Sequence, residues 1–288
     1  MRGEWTVRRA RPRRVRVIEI GGRRLDGERL DRRVGARRVE RAVADGADEA
    51  EVAGAMARDL GRALEAVRAE HPYDRVRADG GLSSLSGFRA ALKAAVDVPV
   101  TFGRGGPFAG EVGGRAFLSR RKRRGGVVLD VGQTGPKASS LRAGVSRRVR
   151  APRDPELLPI ERPEGEALPA EVRERAYRAL VTQLGEVVAE VAWPPTDPAL
   201  VIGLPATVDD DGIPGPSTFA GLAGRDVTGD LLDALAPRLP GAHPWLRQPG
   251  RLWVMNDAEL TAAAVRPHRD ETVLVLTLGF GPGAALVG

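Results

Sequence analysis

Residues 127–137 read Val-Val-Leu-Asp-Val-Gly-Gln-Thr-Gly-Pro-Lys. The apolar run Val127–Val131 predicts a short buried strand. The Gly/Thr-containing turn after it leads into a second strand. Glycine in such a turn lets backbone N–H groups converge on an anion. Gly132 supplies that freedom, Thr134 could donate a hydroxyl to a phosphate, and Lys137 is one of only three lysines among 45 basic residues. The carboxylate of Asp130 could hold Mg²⁺ through water, which suits a cation that keeps its hydration shell. Taken alone, the stretch equally suits a glycine-containing hairpin with no ligand.

Three other strand ends carry similar chemistry. Val273–Leu278 runs into Gly279-Phe280-Gly281-Pro282-Gly283, where alternate glycines permit close backbone approach to a ligand. Leu252–Met255 runs into Asn256-Asp257 ahead of a helix; a carboxylate at a strand's C-terminal end points toward the usual ligand crevice of an α/β sheet. Asp257 could take a proton from a hydroxyl, or simply cap the helix. Arg75–Ala78 leads into Asp79-Gly80-Gly81-Leu82-Ser83, a glycine pair on which a purine could lie or a plain strand-to-helix turn.

Between these points strands and helices alternate, which predicts an α/β class. Val15–Ile20 reads as a strand. Glu49–Glu70 reads as a helix with Val52, Met56, Leu60, Leu64 and Val67 on one face, stopped by His71-Pro72. Phe88–Val96 and Gly110–Ser119 read as helices and Val98–Thr101 as a strand. Ala138–Arg142 and Arg147–Ala151 suggest an antiparallel meander after residue 131, and Pro152–Pro169 a loop. A long helix follows, from about Pro169 to Ala192, closed by Pro194-Pro195. Ala199–Leu204 reads as a buried strand, residues 205–229 as a Gly/Pro-rich loop, and Leu231–Leu239 and Ala258–Val265 as helices.

Composition narrows the field. The 288 residues suffice for proper cores, and 42% hydrophobic with 29% charged residues fits a globular protein. No apolar run reaches the roughly 20 residues of a membrane span. The basic start lacks the apolar segment of a signal peptide, so a cytoplasmic location without membrane partners is expected. The absence of cysteine excludes disulfides, thiolate metal sites and cysteine nucleophiles. The net charge of +7 invites a nucleic-acid partner. Against it, the basic residues are almost all arginine, the runs Arg8–Arg16 and Arg120–Arg124 carry no interleaved aromatics, and no helix-turn-helix or zinc-finger pattern stands out.

Taken together the strand-end motifs resemble the ROK family of sugar kinases and repressors, within the actin, hexokinase and heat-shock chaperone superfamily. Asp130–Lys137 resembles the family's first phosphate motif and Val273–Val287 its second. Val201–Ala206, Asp211-Gly212 and Pro216–Asp226 resemble the segment lining the sugar cleft, and Leu252–Ala264 the strand-Asn-Asp-helix element. Asp79–Ser83, with the helix around Gly113–Leu118, is similar to the adenosine motif and closing helix. The order is unusual, because the adenosine motif precedes the second phosphate motif. Joining Gly288 to Met1 restores the familiar order. The resemblance therefore implies an actin-like ATPase (ribonuclease H-like) fold of two lobes around a cleft, circularly permuted. One lobe would comprise residues 1–119 with 272–288, the other 127–271, and residues 120–126 would fuse the former termini.

The same resemblance implies an ATP-dependent kinase of a sugar or polyol hydroxyl. Asp257 would be the catalytic base, and Asn256, Glu19, Gly203 and Pro205 would contact substrate. Gly132, Thr134, Lys137, Gly279, Gly281 and Gly283 would hold phosphates, Gly80, Gly81 and Leu82 the nucleotide, and Asp130 the Mg²⁺. Polyphosphate is a possible donor, no zinc is expected, and a homodimer is usual for the family. Four departures from the family's pattern stand out, and three of them, Phe280, Pro282 and Gly22, favour a non-catalytic ligand-binding alternative. Gln133 stands where a glycine is usual, Phe280 where a threonine is usual, and Pro282 lacks an N–H. Gly22 replaces the histidine of a Glu-Ile-Gly-His motif that Glu19-Ile20-Gly21-Gly22 otherwise matches.

Overall fold

A computed structural model of the chain describes residues 15–123, 125–132, 134–141, 148–160, 167–191, 193, 196–279 and 281–288. Gln133, Phe280, Pro194-Pro195, Arg124, most of the Arg8–Arg16 run, the 142–147 ends of the two meander strands and 161–166 of the Pro/Glu-rich loop lie outside the described residues. In chain order the elements begin with β1 (Val15–Ile18), the small hairpin β2 (Arg24–Leu25) and β3 (Glu28–Arg29), and helices α1 (Leu30–Arg33), α2 (Ala36–Ala44) and α3 (Glu49–Glu70). Next come β4 (Arg75–Asp79), α4 (Phe88–Ala94), β5 (Val100–Phe102) and α5 (Ala109–Arg120). The meander β6 (Val127–Gly132), β7 (Gly135–Ser140) and β8 (Arg148–Arg150) is followed by α6 (Ala170–Ala189), β9 (Leu200–Leu204), β10 (Ala206–Val208) and β11 (Pro214–Ser217). The chain ends with α7 (Val227–Leu235), α8 (His243–Leu246), β12 (Leu252–Asn256), α9 (Asp257–Ala262), β13 (Val273–Leu278) and β14 (Pro282–Val287).

The described residues form two compact units, 114–260 and 15–113 with 261–288. The first is built on a five-stranded sheet of order β12-β9-β6-β7-β8. β6, β7 and β8 pair antiparallel, and β9 and β12 run parallel to β6. The second has a five-stranded sheet of order β1-β14-β13-β4-β5. There β13, β14 and β1 pair antiparallel, and β4 and β5 run parallel to β13. The two sheets therefore share one order and one set of directions, with β13, β14, β1, β4 and β5 standing where β6, β7, β8, β9 and β12 stand. In the second sheet the first two of these five strands come from the end of the chain.

Each unit has its own core. In the first, Leu180, Leu184, Val187 and Val188 of α6 cover Val127, Leu129, Leu200, Ile202 and Val254. In the second, Met56, Leu60, Leu64 and Val67 of α3 cover Val76, Leu274 and Leu276. Burying each such side chain contributes about 1.5–3 kcal/mol. α3 begins where Asp48 accepts a hydrogen bond from the Glu51 N–H at 2.9 Å, supplying an acceptor for one of the N–H groups left unpaired at every helix start. Among the described residues no helix is long and apolar enough to cross a membrane.

Candidate functional site

In the first unit three parallel strands end at one edge. Asp130 on β6 stands in register with Gly203 on β9, which stands in register with Met255 on β12. Asp257 follows two residues later as the first residue of α9. Asp130 and Asp257 are both half-buried. Burial pushes the Asp257 carboxyl up to about 7, and the neighbouring charge of Asp130 adds to the shift. Burial also raises Asp130, and Lys137, its partner across the β6–β7 hairpin, works against that rise. The Asp257 carboxyl can therefore exchange a proton near neutral pH, and the pair of carboxyls could attract a divalent cation.

The hairpin that carries Lys137 is tightly built. A side chain at Gly132 would lie 3.5 Å from the Lys137 Nζ. Gly135 adopts φ 121°, and a Cβ there would collide with the backbone of Ala151 and Arg153. Thr134 is exposed at the turn, and its carbonyl accepts a hydrogen bond from the Arg153 N–H at 3.2 Å.

Other residues at this edge have internal duties. Asn256 is 8% exposed. Its Nδ2 donates to the Ala206 carbonyl at 2.8 Å, and its Oδ1 accepts from the Ala258 N–H at 2.9 Å. Asn256 thus caps α9 and ties it to β10, and Asp257 also accepts from the Ala258 N–H at 2.8 Å. A Cβ at Gly203 would come within 2.6 Å of Leu260 Cδ2, so glycine there allows α9 to lie close on β9. The Pro205 carbonyl accepts from Ser217 Oγ at 3.0 Å, which fastens the β10–β11 hairpin. The segment 216–226 is partly core. Phe219 and Leu222 are buried, Arg225 pairs with Glu174, and Asp226 caps α7.

The second unit has an equivalent edge, where β4 and β13 end side by side with Asp79 in register with Thr277. Gly80 adopts φ 107°, and a Cβ there would reach the Leu278 backbone, 2.7 Å from its nitrogen. This brings the Gly80-Gly81 turn against the start of the Gly279–Gly283 run. Gly81 and Gly279 have open space where a side chain would stand, whereas Leu82 is buried. The Gly279 carbonyl accepts from the Ala36 N–H at 3.1 Å, and Gly281 lies against Asp31. Gly283 pairs with Thr277 inside the β13–β14 hairpin. Glu19 is exposed and accepts from the Gly22 N–H at 2.8 Å, closing the turn after β1.

Two carboxylates of this unit received no role of their own in the sequence reading. Asp79 is 2% exposed and accepts from the backbone N–H groups of Gly80 and Gly106, in a cradle walled by Gly103 and Gly105. Burial raises its pKa despite those hydrogen bonds. The run Gly103-Arg104-Gly105-Gly106 was the sequence signal for it. Asp59, inside α3, accepts two hydrogen bonds from Arg33 at 2.9 and 3.0 Å and one from Arg38 at 3.0 Å. Those arginines sit on α1 and α2, the elements that carry Asp31 and Ala36 to the Gly279–Gly281 turn. No group of three or more His, Cys, Asp or Glu residues is arranged to hold a metal among the described residues.

Neither a protein-family model nor a curated protein sequence matches this chain. Among solved structures, the crystal structure of a ROK hexokinase from Thermus thermophilus is similar at a TM-score of 0.35 and 16% identity, over 73% of this chain and 84% of that one.

Proposed function

We propose that this chain is a ROK-like carbohydrate kinase with an actin-like ATPase fold, circularly permuted, that phosphorylates a sugar or polyol hydroxyl. The observation that carries the reading is the Asp257 carboxyl, raised to about 7 beside Asp130 at the ends of β12 and β6. A base tuned near neutrality suits abstraction of a hydroxyl proton. The shared order of the two sheets supports the permuted fold, since β13 and β14 complete a pattern begun at β1.

In this mechanism Asp257 accepts the proton as the substrate oxygen attacks the terminal phosphorus of the donor. The bond from that phosphorus to its bridging oxygen breaks, and the electron pair leaves with the diphosphate. In the first unit Lys137, Thr134 and the backbone at Gly132 are the proposed contacts for donor phosphates. Gly279, Gly281 and Gly283 are the phosphate-binding candidates of the second unit, taken by itself. Gly80, Gly81 and Leu82 shape the surface offered to the nucleoside. Gly203 and Pro205 position the substrate-facing edge, and Glu19 supplies an exposed carboxylate for substrate hydroxyls. Asn256 acts by holding the start of α9, and so the Asp257 backbone. Asp130 would hold Mg²⁺ through water, and bound Mg²⁺ supplies charge neutralisation at the transferring phosphoryl group. Both carboxyls are raised by burial, and Asp257 further by Asp130, so they fit such a cation, which would offset the cost of the charged forms.

The test is turnover of a panel of hexoses, amino sugars and cyclitols with Mg·ATP and with polyphosphate, comparing wild type with Asp257→Asn. Turnover by wild type lost in the variant is expected. Absence of turnover on every substrate, with no ATP binding by calorimetry, overturns the reading. A non-catalytic sugar- or nucleotide-binding role is the second reading, favoured by the internal commitment of the whole Asn256 amide. It predicts ligand-dependent thermal stabilisation that Asp257→Asn leaves intact.

A further inference from the structure

The opposite end of the first unit's sheet, where β9 and β12 begin, holds a different cluster. α5 ends at Arg120, and Lys122 takes the left-handed conformation at φ 57°. The Lys122 N–H then donates to Ser119 O at 2.9 Å and the Arg123 N–H to Leu118 O at 3.0 Å. This closure is usually made by glycine, and here it sets Arg121 and Arg123 on either side of the turn. The Arg121 guanidinium lies 4.4 Å from the Phe117 ring centroid and 5.2 Å from that of Trp253. Arg251, just before β12, stacks over Trp245 at 5.5 Å. Arg123 donates to both Asp197 oxygens at 3.1 and 3.2 Å and to the Gly250 carbonyl at 2.9 Å. Arg251 pairs with the same Asp197.

Two guanidinium groups therefore share one carboxylate. The third, Arg121, is exposed and has aromatic faces for neighbours. Arg123 Nε is buried with no acceptor among the described residues. Desolvation of its guanidinium against the two rings lowers the pKa of Arg121, and repulsion from Arg123 and Arg120 lowers it further; for Arg251 the causes are burial and Arg123. The C-terminal carbonyls of α5 offer about half a negative charge, too little to balance the excess.

We propose that Arg121, Arg123 and Arg251 form a receptor for a phosphate-type oxyanion, at the end of the sheet away from Asp130 and Asp257. The planar forks of Arg121 and Arg251 lie on aromatic faces, which leaves their edges for such an anion, and Arg123 Nε is a buried donor without an acceptor among the described residues. The anion would replace mutual repulsion with shared hydrogen bonds.

Trp253 and Trp245 flank two of the three arginines, so intrinsic fluorescence reports on the site. The experiment titrates the full chain with orthophosphate and, separately, tripolyphosphate at constant ionic strength. Wild type, Arg121→Gln and Lys137→Gln are compared, the last removing the cation of the β6–β7 hairpin. A saturable change with either probe is expected, weakened roughly tenfold by Arg121→Gln and retained in Lys137→Gln. Saturation by orthophosphate assigns a single phosphate group, and saturation by tripolyphosphate alone assigns a chain. The proposal is overturned if sodium chloride at equal ionic strength reproduces the change, if Arg121→Gln binds like wild type, or if Lys137→Gln alone abolishes binding.

Discussion

Replacing Asp257 by asparagine should stabilise this protein while removing the proposed base, and the size of the gain follows from the carboxyl's surroundings. Its pKa moves from 3.8 to about 7 on folding, chiefly through burial and then through Asp130. At 1.36 kcal/mol per unit, that shift is worth about 4 kcal/mol. The residue is half-buried, so solvent screening reduces the expectation to about 2–4 kcal/mol. The folded pKa lies above the unfolded one, so folding favours the protonated form. Its contribution is fully present below about pH 4 and is lost as pH rises through about 7. Wild type should therefore weaken between those limits, and the variant should not. Asparagine keeps an oxygen for the Ala258 N–H, so the α9 start is preserved. Urea denaturation at pH 4, 6 and 8 measures the effect through the midpoint at unchanged slope. The variant should match wild type at pH 4 and exceed it at pH 8, and any wild-type kinase activity should rise along a limb near pH 7 that the variant lacks. A difference that does not change with pH, or a variant less stable at pH 8, would refute the burial argument.

Gly80→Ala forces a side chain into the Leu278 backbone at a φ of 107°; a loss of at least about 2 kcal/mol is expected, together with loss of nucleotide binding by calorimetry. Asp59→Ala leaves Arg33 and Arg38 without their shared carboxylate, for an expected cost of about 1–3 kcal/mol in denaturation, since both arginines reach solvent and Arg33 keeps Asp26. Glu271 is held down to about 2, first by hydrogen bonding to Arg75 and then to the His268 N–H. Its folded pKa is below the unfolded one, so its contribution is present above about pH 4.5 and is lost as pH falls toward 2; Glu271→Gln should flatten that part of the acid-unfolding curve. Truncation after Glu271 removes β13 from the middle of the second sheet. Hydrogen exchange should then show β4 and β5 unprotected while β6, β9 and β12 stay protected.

The elements readable in the sequence were those with strong local signals. α3 spans Glu49–Glu70 as its apolar spacing predicts, because Asp48 starts it and His71-Pro72 ends it. β9, β12 and β13 are buried apolar runs. α7 begins at Val227 rather than Leu231 because Asp226 caps it. α1 and α2 were missed because they bury few apolar residues, Leu30 and Val39, among many arginines. What stabilises them is Asp59, distant in sequence. β10 and β11 were hidden in a Gly/Pro-rich stretch whose hairpin depends on Ser217 meeting the Pro205 carbonyl.

The site was legible as residue types and illegible as energies. Asp130 and Asp257 each stand out at a strand end, but their mutual effect depends on β9 lying between β6 and β12 with Gly203 in the shared register row. That pairing joins residues more than a hundred positions apart and leaves no local trace. Asp79 shows the same dependence, since its cradle forms only when β5 pairs with β4 and delivers Gly103–Gly106. Asn256 shows the converse. Its position beside Asp257 suggested a ligand contact, and its amide also serves the fold: Oδ1 accepts at the start of α9 and Nδ2 donates to the Ala206 carbonyl of β10. A polar residue at a strand end can therefore serve the fold or the ligand, and its hydrogen-bond inventory decides between them. By that measure the Asp257 carboxylate accepts only from the Ala258 N–H and its own N–H and has an unfavourable neighbour in Asp130, and so retains capacity to bind a proton or a substrate hydroxyl.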